Sequence, residues 1–149
     1  MLAALAAGAC VAQPEGVDHL ADAPARLTEA SAGGNDAEWV RSRIGRPHRL
    51  RDVVRATLPA TPPGRLVFTV DVPPGGRLHV STGIPRPHRR APAVEFVVKV
   101  RREGRETTLA SRLVDPAHRP EDGAWSPWQV DLSDHAGRGV EIVLETRAL

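Results

Sequence analysis

From residue 65 onward, apolar and polar side chains alternate, and that alternation constrains the fold more than any other feature of this chain. Across 65–72, Leu66, Phe68, Val70 and Val72 share one face, with Val67, Thr69 and Asp71 on the other. A period of two marks a strand with one buried face. Pro73-Pro74-Gly75-Gly76 removes backbone donors and frees φ, so the strand must end in a turn. The pattern returns at 77–84 through Leu78 and Val80, and at 93–101 through Val94, Phe96, Val98 and Val100. Arg102-Glu103-Gly104-Arg105 reads as a hairpin loop into 106–114, where Leu109, Ser111 and Leu113 share a face. Segments 129–132 and 140–146 complete the set, and a less regular strand is expected within 50–58. Six or seven short strands between Pro/Gly turns, with no long helical period, predict an all-β fold of two antiparallel sheets packed face to face.

Ahead of residue 39 the chain changes character. Residues 1–12 read MLAALAAGACVA, an apolar run far short of the ~20 residues needed to span a bilayer. Ala7-Gly8-Ala9 before Cys10 resembles the end of a bacterial lipoprotein signal, which implies lipid attachment at Cys10 and an exported, periplasmic or cell-surface protein. No Lys or Arg precedes the run, which departs from that pattern and points to a start further upstream. Cys10 is the sole cysteine, so no disulfide and no cysteine zinc framework can form within one chain. Residues 13–38 are acidic and Ala/Gly-rich, reading as a mostly unstructured linker with a short helix near 17–27. The sandwich domain is then 39–149. It stops at Leu149 directly after a strand, without the closing segment expected of such a domain, as a truncated reading frame would.

Charge follows the same division. Six acids against Arg26 leave residues 1–38 at −5, so 39–149 carry +7 within a whole chain of +2. That surplus favours anionic partners, although Lys99 is the only lysine and the arginine bias fits a GC-rich genome equally well. Three Trp, two Phe and no Tyr are too few rings for a stacking platform, which argues against nucleic acid.

The segment 125–144 is the most specific. Trp125-Ser126-Pro127-Trp128-Gln129-Val130-Asp131-Leu132-Ser133 leads through His135-Ala136-Gly137-Arg138 to Val140, Ile142 and Leu144. A Trp, a V-D-L-S strand end, an A-G-R turn and a V-x-I-x-L strand resemble galactose-binding-like jelly-roll domains. With 65–78 and 94–100, the pattern is similar to the non-catalytic sandwich ahead of the catalytic domain in some exported bacterial sulfatases. The resemblance spans about 48–149. It implies a jelly roll in which Trp128 fills the core beside Val130 and Leu132, Asp131 or Ser133 binds turn amides, and Gly137 takes a positive φ. It also implies a downstream catalytic domain as partner. The Cys/Ser-x-Pro-x-Arg motif of a sulfatase nucleophile is missing, since Val-Ala-Gln-Pro follows Cys10. Hydrolase activity therefore does not carry over, and no catalytic residue is expected.

Two basic clusters read alike: Arg46-Pro47-His48-Arg49 with Arg51, and Arg86-Pro87-His88-Arg89-Arg90. Both are expected in loops between strands, where arginine forks suit sulfate or carboxylate. Arg86, Arg89 and Arg90 are the candidate ligand residues for an anionic glycan. Asp115, Glu121 and Asp122 flank Pro116-Ala117-His118-Arg119-Pro120 and are candidate oxygen ligands for a structural calcium, the one cofactor considered. None of the six histidines pairs at HxH or HExxH spacing. Three readings result: an accessory sandwich that binds carbohydrate or anionic polysaccharide, the leading fragment of a sulfatase-like hydrolase, and a spacer without ligand. A membrane enters only through the lipid anchor.

Overall fold

In a computed structural model, the described residues are 4–6, 12–13, 16–17, 24–85 and 92–149, the first three spans as backbone only. In chain order the strands are β1 (Ala4–Ala6), β2 (Ala12–Gln13), β3 (Gly16–Val17), β4 (Leu27–Ala32), β5 (Arg46–Leu50) and β6 (Val53–Pro59). There follow β7 (Gly64–Val72), β8 (Arg77–Gly83), β9 (Val94–Arg102), β10 (Arg105–Val114), β11 (Ser126–Asp131) and β12 (Gly137–Ala148). Helix α1 (Ala37–Arg41) precedes β5. The first sheet runs β11-β8-β1-β6-β5 and the second β10-β9-β12-β7-β4, while β2 and β3 form a separate pair. Every strand pairing among the described residues is antiparallel.

The two five-stranded sheets share one hydrophobic core. Leu58, Leu78, Val80 and Val130 enter it from the first sheet, and Leu66, Phe68, Val98, Ile142 and Leu144 from the second. Phe68 and Phe96 are its largest side chains, at 0% and 1% exposure. The alternating strands are thus all-β layers with their apolar faces turned together. The loop at 102–105 narrows to a two-residue turn in which Glu103 and Gly104 take φ of 50° and 75°. Positive φ at both positions matches the twist of the flanking strands.

Four local expectations are revised. Within the span read as linker, Leu27–Ala32 forms β4, paired with β7, and buries Leu27 and Ala32. An edge strand needs only one buried face, and small residues such as Ala32 fill it without a strong apolar signal. Where a short helix was expected near 17–27, Gly16–Val17 and Leu27–Ala32 are strand and Pro24–Arg26 is a single 3-10 turn; residues 18–23 lie outside the described residues. On β10 the register shifts between Thr108 and Ala110, leaving Leu113 36% exposed while Leu109 packs on the core. A bulge inserts one residue and so breaks the shared face of Leu109 and Leu113. Finally, Trp125 is the better buried of the carboxy-terminal tryptophans, at 8% exposure, with Trp128 packed at the core margin.

β1 falls inside the segment read as a signal. Its backbone pairs with β6, Ala4 against Pro59, and with β8, Ala4 against Gly83. Cys10 lies outside the described residues.

Candidate functional site

The outer face of the second sheet carries alternate charged residues, and they neutralise one another. Register sets Glu145 of β12 beside Arg65 of β7, and Glu141 beside Arg101 of β9. Arg101 Nη2 lies 2.8 Å from Glu141 and 2.5 Å from Glu29, while Lys99 Nζ lies 2.8 Å from Glu145. Arg65 bridges to Glu145 at 2.5 Å and also meets Glu106. Hydrogen bonds from Arg101 hold the Glu29 and Glu141 carboxyls below their ordinary range, and Arg65 does the same for Glu106. Burial pushes Glu145 up, but its bonds from Lys99 and Arg147 prevail and its pKa is lowered. Val67, Val97 and Val143 alternate in step with these charged residues and are still 0%, 3% and 0% exposed. Aliphatic stems covering apolar surface under a charged head are a common arrangement.

The hairpin of β5 and β6 is the opposite case. The first basic cluster is not a loop: 46–50 form the edge strand of the first sheet, and only Arg51-Asp52 make the turn. Proline and arginine suit an edge because Pro47 removes a donor and charge repels a second sheet. Arg46 Nε donates to the Ser42 carbonyl at 3.2 Å, and Arg51 Nη2 to the Pro120 carbonyl at 3.3 Å. Arg49 and Arg55 are exposed and have no carboxylate partner among the described residues. His48 stands directly across from Arg55.

A small second core docks this hairpin. Leu50, 1% exposed, packs on Trp125, whose Nε1 donates to the Val53 carbonyl at 3.0 Å. Gly83, the last residue of β8, lies so close that a Cβ there would overlap Leu50 Cδ1. The chain leaves β8 at this point toward residue 86. Arg86, Arg89 and Arg90 themselves lie outside the described residues. The local sequence signals around Leu50, Gly83 and Trp125 do not reveal this contact, because the first two stand 33 positions apart in the chain.

The candidate calcium residues point to internal bonds. Asp122, 5% exposed, accepts the Asp115 amide at 2.7 Å and lies 3.5 Å from Arg119 Nε. Asp115 accepts from His118 Nδ1 at 2.9 Å; burial raises its pKa, the His118 contacts outweigh that, and the net shift is downward. Glu121 is exposed. Among the described residues no three His, Cys, Asp or Glu side chains gather in a metal-binding arrangement. A cleft of about 260 Å³ opens between β10 and β11, with Leu109 and Ala110 on one side and Gln129, Asp131, Asp134 and His135 on the other. Asp131 is committed to the turn, accepting the Ser133 amide at 2.9 Å, and that bond lowers its pKa.

No protein-family model matches the chain, and no solved structure matches it. A stretch of 53 residues is 45% identical to an uncharacterized protein of Archaeoglobus fulgidus, covering 36% of this chain and 13% of that relative.

Proposed function

We propose that this chain is a non-catalytic accessory domain, a galactose-binding-like jelly roll within a longer exported protein, and that it binds anionic polysaccharide. The observation that carries the reading is the contrast between two charged surfaces. On the second sheet Arg65, Lys99 and Arg101 each have a carboxylate partner, whereas Arg49 and Arg55 on the β5–β6 hairpin have none among the described residues. The hairpin is pinned by Leu50 and Trp125 to the end of β8, from which the chain runs on to Arg86, Arg89 and Arg90. In the chain, the second basic cluster follows β8 within a few residues of this docking point and lies outside the described residues. Unpaired guanidinium groups keep their forks free for sulfate or carboxylate.

Titration calorimetry with heparin and with a neutral polysaccharide tests this. Heparin is expected to bind with an affinity that falls as salt rises, and the neutral polymer to stay silent. The pair Arg49→Glu with Arg55→Glu, and separately Arg89→Glu, should each weaken heparin binding about tenfold, or ~1.4 kcal/mol. Full affinity in both variants removes the site. Turnover of a sulfate ester or glycoside by the purified chain overturns the non-catalytic reading.

A further inference from the structure

The first sheet contains a strand position that the chain fills in an unusual way. β6 and β8 each commit one edge to a neighbour, β6 to β5 and β8 to β11. Their other edges face each other across β1, which is antiparallel to both. It follows that β6 and β8 are parallel to one another and roughly 9–10 Å apart, two strand spacings. Bringing them into direct contact would shift Leu58 of β6 and Leu78 and Val80 of β8 by a full strand spacing, and all three are in the shared core. The gap needs a strand.

With Ala4–Ala6 in place, the residues along it are closed to water. Leu58 and Thr82 are 0% exposed and Ser81 is 7% exposed, and these are the residues that register against Leu5 and Ala6. Buried amides and carbonyls without partners each cost on the order of 1–3 kcal/mol. What fills the gap is three residues long, and 20 residues of chain separate Ala6 from Leu27 of β4.

We infer that the gap between β6 and β8 is a strand-acceptor site for a short extended apolar peptide, occupied in cis by Ala4–Ala6 and open to the same segment in trans. Main-chain pairing to two flanking strands supplies the affinity, as in β-augmentation, but on both sides at once. The flanking residues set the selectivity: Pro59 and Gly83 beside Ala4, Leu58 and Thr82 beside Leu5, all four buried.

The test uses the full chain carrying Leu5→Pro, which removes the central amide and disfavours pairing, and a fluorescent peptide of residues 1–9. The variant is expected to melt about 5–10 °C below the parent. The wild-type peptide should bind it saturably and raise its Tm toward the parent, and a peptide with Leu5→Asp should bind at least tenfold more weakly. An unchanged Tm together with no peptide binding overturns the inference. If Leu5→Pro does not fold, amide exchange on the parent chain decides: protection at Leu58 and Thr82 lost together under mild denaturant, before the core strands open, supports the slot. Fast exchange at both under native conditions refutes it.

Discussion

Gly83→Ala is the sharpest probe of how the basic hairpin is held. The new methyl carbon would overlap Leu50 Cδ1 and sit 3.0 and 3.2 Å from Trp125 Cε3 and Cζ3. Carbon–carbon contacts in a packed interior are most favourable at about 3.5–4.0 Å, so Leu50 must leave its rotamer. It has little room, being 1% exposed against a tryptophan anchored to the Val53 carbonyl. Overpacking of this sort costs ~1–3 kcal/mol, and alanine returns ~0.4–1 kcal/mol by restricting the unfolded chain. A net loss of about 1–2 kcal/mol follows, or a fall in Tm of roughly 2–8 °C. Leu50→Ala by itself should cost ~2–5 kcal/mol. In the double variant the offending Cδ1 is gone, and the methyl introduced by Gly83→Ala occupies part of the space it left. The pair should then be less destabilising than the sum by ~1–2 kcal/mol. Thermal melts of the four proteins, followed by Trp fluorescence, give that coupling directly. Additivity within ~0.5 kcal/mol would show that Leu50 and Gly83 do not meet, and would refute the docking of the hairpin.

Other outcomes follow from the same geometry. Glu29, Glu106, Glu141 and Glu145 have folded pKa values depressed below the ordinary 4.5, so their ion pairs contribute stability above that value and lose it as pH falls below it. A Tm profile from about pH 7 to about pH 3 should decline with onset near pH 4.5 and should flatten in Glu29→Gln with Glu141→Gln; equal slopes would discount the network. Asp122→Ala strands the Asp115 amide and should cost ~1–3 kcal/mol by denaturant melt, while millimolar calcium leaves the parent Tm unchanged because both aspartates already serve internal donors. Gly64→Ala places a methyl 2.8 Å from the Thr61 carbonyl and 2.5 Å from Thr146 Oγ1, and backbone cannot yield as a side chain does. It should lower stability by ~1–3 kcal/mol, and a neutral result would argue against the Thr61 approach.

What the sequence by itself determined is the character of the layers. Leu66, Phe68, Val70 and Val72, or Val140, Ile142 and Leu144, alternate because successive strand side chains point to opposite faces, so their burial in a shared core was legible without any partner strand. The turn chemistry was legible too: Glu103-Gly104 and the Asp131–Ser133 bond follow from local residue types. The tertiary structure alone decided the rest, because it depends on which distant segments become neighbours. Leu27–Ala32 reads as linker until β7 offers it an edge, and Val67 reads as solvent-facing although the folded chain buries it completely. Arg49 and Arg101 look the same in a string of letters. Strand register sets Arg101 beside Glu141 and leaves Arg49 opposite Val54, so the first is neutralised while the second has no carboxylate partner among the described residues.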